Sequence, residues 1–108
     1  MTRTDRELIA AAQSEADFQE QIVTLAEATG CWVYHVHDSR GSNPGFLDLM
    51  ILRGIDLTFL EVKSQKGRVR PEQQWVADAL GKVKRVTARI VRPSDWPWVE
   101  AKLTERAR

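Results

Sequence analysis

A chain of 108 residues, 43% of them hydrophobic, suffices for one compact domain over residues 1–108 and is too short for two. No apolar run approaches the ~20 residues that cross a bilayer, and the opening MTRTDRELIAAAQ lacks the apolar stretch of a secretory leader, so a cytoplasmic protein with no membrane partner is expected. A net charge of +1 does not announce a polyanion binder, and the lone Cys31 excludes an internal disulfide, in keeping with a reducing compartment.

Thr4-Asp5-Arg6-Glu7 has capping-box spacing and predicts a short helix to about Gln13. Ser14 reads as the next N-cap, and Phe18, Ile22, Leu25 and Ala26 keep helical spacing until Gly30 stops it. Glu15 precedes Phe18 by three residues and Ile22 by seven, so it continues the apolar stripe and is expected on the buried side, with Glu20 opposite in solvent. Residues 32–37 read as a strand and residues 38–45 (DSRGSNPG) as a loop. Two apolar strands follow, 48–52 and 57–63, joined by a short connection at 53–56. Pro71 opens a helix running through Trp75, Val76 and Leu80 to Gly81. Residues 86–91 form a further strand, and 94 to about 105 a terminal helix with Trp96 and Trp98 near its start. A helix between the third and fourth strands permits parallel pairing, so the fold is α/β: a mixed sheet of about four strands flanked by helices.

The hairpin register carries the chemistry. With the turn centred between Gly54 and Ile55, Leu52 faces Leu57, and stepping outward brings Asp48 opposite Glu61. Their Cβ atoms would then lie about 5 Å apart on one face. Two opposed carboxylates on apolar strands repel unless a cation sits between them, and hard oxygen ligands suit Mg²⁺ or Mn²⁺. Lys63, two residues beyond Glu61, shares that face and could hold a water or neutralise phosphate charge. The alternative is that Asp48 caps a turn while Glu61 and Lys63 form a surface pair. Gln73, at the third position of its helix, could reach the site or cap the backbone.

Lys63, Lys66, Arg68 and Arg70 fall within eight residues, and Lys82, Lys84 and Arg85 follow. Such clusters either engage phosphates or form a solvated face. His35 and His37 share a strand face but have no third ligand, so they read as structural, and Cys31 reads as a core residue. No serine-hydrolase elbow, phosphate-cradling glycine motif or zinc spacing is present.

Residues 43–49 (NPGFLDL), the Glu61-Val62-Lys63 triplet, residues 67–73 (GRVRPEQ) and residues 14–19 (SEADFQ) together resemble the virus-type replication-repair nuclease (VRR-NUC) domain. The resemblance runs from residue 14 to about 92, leaving 93–108 as a C-terminal helix. It implies a PD-(D/E)XK restriction-endonuclease-like core. It also implies Asp48, Glu61 and the Val62 carbonyl as metal ligands, Glu15 as the helix acid and a further metal ligand, Lys63 as the catalytic lysine and Gln73 as a glutamine of the site. The implied activity is Mg- or Mn-dependent hydrolysis of DNA phosphodiesters, selective for branched DNA such as four-way junctions. Small members resemble phage-encoded homodimers working in a bacterial cytoplasm. Arg40, Ser42, Lys66, Arg68 and Arg70 are the expected DNA contacts. Alternatives are a nickase or end-processing nuclease on the same core, or a silent DNA-binding accessory protein. Two positions depart from the pattern: Leu47 stands where the family has proline, and Arg70 where it often has a capping serine, so a frayed helix start is expected there.

Overall fold

A computed structural model describes residues 3–36 and 45–105. Helix α1 (Arg3–Ala12) starts two residues too early for Thr4 to cap it. Helix α2 (Glu15–Ala28) begins as expected: Ser14 is extended, and its Oγ accepts the Asp17 N–H at 3.1 Å. Phe18, Ile22 and Ala26 are its buried stripe, and Gly30 leaves the helix with φ +80°, a value that favours glycine.

Strand β1 (Trp32–His35) is shorter than the predicted strand, although the Val36 N–H still donates to the Asp48 carbonyl at 2.8 Å. Its antiparallel partner β2 (Leu49–Arg53) turns directly into β3 (Asp56–Val62). Arg53 pairs with Asp56, so the loop is only Gly54-Ile55, and Gly54 takes φ +60°. Glycine with positive φ at the first of two loop residues suits the twist of a tight hairpin. Helix α3 (Pro71–Gly81) then crosses to β4 (Val86–Val91), which pairs parallel to β3. The predicted terminal helix resolves into a 3₁₀ turn (Pro93–Asp95) and α4 (Trp96–Thr104).

The sheet is therefore mixed, ordered β1-β2-β3-β4, with helices on both faces. Strand alternation sorts the side chains. On one face Leu49, Ile51, Leu60, Val62 and Val91 pack with Phe18, Ile22 and Ala26 of α2 and with Val99 and Leu103 of α4. On the other, Phe59, Met50, Leu57, Val86 and Ala88 pack under Val76, Ala77 and Leu80 of α3. Trp96 and Trp98 are half-buried against the first of these cores, and the Arg89 guanidinium lies 4.3 Å from the Trp98 ring. Among the described residues no helix is long and apolar enough to cross a membrane.

Candidate active site

The hairpin pairs Leu49 with Leu60, Met50 with Phe59 and Leu52 with Leu57. Continued by one step, that register sets Asp48 opposite Glu61, as the turn position predicts. Asp48 lies just before β2, and its Oδ2 accepts the Val62 N–H at 3.0 Å. It thus ties the start of one strand to the end of the next instead of capping a turn. Glu61 and Lys63 are both buried, which overturns the surface-pair alternative. Lys63 Nζ is 3.3 Å from Glu61 Oε2.

Gln73 is buried as well, and one amide performs both of the roles considered for it. Its Nε2 donates to Glu61 Oε2 at 2.8 Å, while its Oε1 accepts the Arg70 N–H at 3.0 Å. This answers the missing serine: Arg70 makes no side-chain cap, yet the helix starts at Pro71 with its leading amide satisfied from within. The helix start and the site are one hydrogen-bonded unit.

Electrostatically, Glu61 is the exceptional group. Burial strips water from its carboxylate, and Asp48 adds like charge; Lys63 opposes both but does not cancel them. The result is a pKa raised from 4.5 to about 7. One oxygen, Oε2, holds Lys63 and Gln73. The other, Oε1, is buried with no hydrogen-bond partner among the described residues. A buried acceptor without a donor is costly. A divalent cation would satisfy that oxygen and relieve the repulsion from Asp48, so these residues fit one.

The supporting residues were less visible in sequence. Leu47 is fully buried between Phe59 and Ala77, so it anchors the approach to Asp48 by packing where proline would act by stiffness. Gly45 has φ +92°, and a Cβ there would come within 2.5 Å of the Glu72 carbonyl oxygen. Only glycine lets this segment lie so close to the first turn of α3. After Lys63 the chain is held by Arg92, whose Nη1 donates to the carbonyls of Ser64 and Gln65 at 2.8 and 3.0 Å. Gln65 and Ser94 exchange two further hydrogen bonds. An arginine 28 residues from its acceptor leaves no local sequence signal.

Not every expected residue joins this cluster. Glu15 is exposed, contrary to the buried position read from its spacing. It shares the angle of Phe18 and Ile22, but as the first residue of α2 it stands beyond the end of the core. Among the described residues no three His, Cys, Asp or Glu side chains gather to hold a metal ion. Asp48 and Glu61 are thus two acids without a third. Gln19, one turn beyond Glu15, meets His35 Nδ1 at 3.3 Å, beside the start of β2. Lys66, Arg68 and Arg70 are exposed on the segment between Lys63 and α3, with no acidic partner among the described residues. Arg40, Ser42 and His37 lie outside the described residues.

Compared with family models, with curated proteins and with solved structures, the chain gives no match.

Proposed function

We propose that this chain is a divalent-cation-dependent DNA endonuclease built on a PD-(D/E)XK core of the VRR-NUC type. The observation that carries the reading is the buried, partnerless Glu61 Oε1 beside Asp48, with Lys63 two residues along the same strand face. A surface ion pair needs none of this burial. A binding module gains nothing from acids placed near phosphates.

Asp48, Glu61 and the Val62 carbonyl would hold Mg²⁺ or Mn²⁺. When bound, such an ion supplies Lewis-acid charge to a phosphoryl oxygen and makes water more acidic. Lys63 sets an ammonium beside Glu61, where it can orient the attacking water and offset charge gathering on the phosphate. Gln73 fixes the Glu61 carboxylate through Oε2 and so leaves Oε1 for the cation. Glu15, exposed at the start of α2, is proposed as a further acid of this set on the motif resemblance alone. The motif resemblance extends the reading to branched DNA such as four-way junctions, with a nickase or end-processing nuclease as the alternative on the same site.

Lys66, Arg68 and Arg70, with Arg40 and Ser42, are proposed to hold the DNA backbone. Phosphate contacts release counterions, so each makes binding more salt-sensitive. Replacing Lys66, Arg68 and Arg70 together by glutamine should weaken binding to all sequences and flatten the slope of log affinity against log salt by about two to three. An unchanged slope would reduce them to a solvated face.

One chain offers one site, whereas a two-fold junction needs two opposed cuts, so a homodimer is proposed. Light scattering should return twice the 12.3 kDa chain mass. Mixing wild type with excess Lys63→Ala should convert paired cuts into single nicks. A monomer with and without junction DNA would favour the nickase.

A further inference from the structure

Among the described residues, the cluster under helix α3 takes in Met50 of β2 and residues of β3 and β4, but none of β1. Trp32 and Tyr34 lie on β1, outside that cluster. Strand pairing sets Tyr34 beside Met50 and Trp32 beside Leu52, which places both rings on the face that carries Asp48, Glu61 and Lys63. The rings are 54% and 52% exposed, stacked with centroids 6.1 Å apart and planes 18° from parallel. Leu52 and Ile55 extend the apolar surface around them. Two large aromatics held flat and half in water contribute little to the core. Strand spacings put the Tyr34 backbone roughly 12 Å from that of Glu61. Lys66, Arg68 and Arg70 follow Lys63 along the chain, exposed and without acidic partners among the described residues.

We propose that Trp32 and Tyr34 form a stacking platform for unpaired bases of the DNA strand that crosses the site. Exposed rings on the sheet face that carries Lys63, with Lys66, Arg68 and Arg70 following it in the chain, match the chemistry of single-stranded nucleic acid: bases stack on the rings while phosphates meet the cations. Charge complementarity favours this occupant over a second copy of the chain. A protein partner seated on the rings would crowd the approach to Glu61, whereas a strand lying there leads into it. The inference rests on the nuclease reading and names the part of the substrate recognised: a single-stranded segment beside the cut, as in a flap, an overhang or an opened junction.

The test uses the full chain in EDTA, so that binding is read without cleavage. Oligo-dT and a blunt duplex of equal length are the two probes, followed by fluorescence anisotropy. Trp32→Thr combined with Tyr34→Thr keeps strand-forming residues but removes both rings. That variant should lose at least tenfold in affinity for oligo-dT and much less for the duplex. Trp32→Phe with Tyr34→Phe should stay within about threefold of wild type for both probes. Should the threonine variant fail to fold, quenching of wild-type tryptophan fluorescence by oligo-dT, diminished in Trp32→Phe, supplies the same support. Unchanged oligo-dT affinity without the rings would overturn the platform, as would equal losses for both probes. A fall in chain mass by light scattering in the threonine variant would also overturn it, making the rings a self-association surface. Because binding is measured without metal, losing the platform while Mn²⁺-dependent cleavage survives sinks this inference alone. Absence of cleavage in a protein that still stacks oligo-dT sinks the nuclease reading instead.

Discussion

Glu61→Gln should abolish DNA cleavage and at the same time make the metal-free protein more stable at neutral and alkaline pH. Glutamine keeps an acceptor for Lys63 and for the Gln73 amide. It removes the desolvated charge and the repulsion from Asp48. The Glu61 pKa is raised in the folded chain, from 4.5 to about 7, so folding favours its protonated form. That contribution is complete below about 4.5 and is lost as pH rises through 7, amounting to roughly 3 kcal/mol at full ionisation. In EDTA, therefore, wild type should lose stability between pH 4.5 and 7 relative to Glu61→Gln. At pH 8 the variant should melt about 12–24 °C higher, since each kcal/mol moves the midpoint by about 4–8 °C in a domain near this size. Mn²⁺ at pH 8 should close the gap by stabilising wild type alone. Asp48→Ala should likewise lose cleavage and stay folded. Melting curves across pH, with and without Mn²⁺, check all of this; a variant less stable than metal-free wild type at pH 8 would contradict it.

Leu47→Ala should be among the most damaging changes outside the site itself. The side chain is 0% exposed and fills the space between Phe59 and Ala77, under the helix that supplies Gln73. Deleting three buried carbons removes their transfer energy and leaves a cavity, together costing roughly 2–5 kcal/mol. That corresponds to a midpoint lower by about 8–40 °C. Leu8→Ala, at an exposed leucine of α1, should change stability by no more than about 0.5 kcal/mol. Urea unfolding of the two variants gives the comparison. Equal effects would mean that Leu47 does not anchor the segment before Asp48. Because that segment delivers Asp48, residual cleavage by Leu47→Ala should also fall more steeply on warming than that of wild type.

How far the site was legible depended on whether local rules decided the geometry. The Asp48–Glu61 opposition was readable because one glycine fixed the turn, and a period of two then carries the register outward without slack. Helix α3 and strand β4 were bounded by Pro71, Gly81 and a run of branched residues, and they emerge with the expected limits. Helical spacing misplaces Glu15 because it gives an angle around the axis, not whether the end of the helix still overlies the sheet. Gln73 both caps the helix and enters the site because the two ends of its amide point to different partners. The short β1 and the 3₁₀ turn at Pro93 are tertiary outcomes. So is the clasp of Arg92 on the carbonyls after Lys63, since a guanidinium reaching across 28 residues obeys no periodicity. The exposure of Trp32 and Tyr34 could not be seen in sequence either: among the described residues the cluster under α3 takes in β2, β3 and β4 but not β1.

The proposed reaction is a cation-dependent cut in DNA made at Asp48, Glu61 and Lys63. One experiment bears on it most directly: end-labelled four-way junction, flapped, nicked and linear DNA incubated with purified protein in Mn²⁺, Mg²⁺ or EDTA, beside Glu61→Gln and Lys63→Ala. The prediction is cleavage by wild type with Mn²⁺ or Mg²⁺, strongest on branched forms, none in EDTA, and a loss of at least a thousandfold in both variants while DNA binding persists. Intact DNA of every form with wild type and either metal, or cleavage that survives Glu61→Gln, would contradict it.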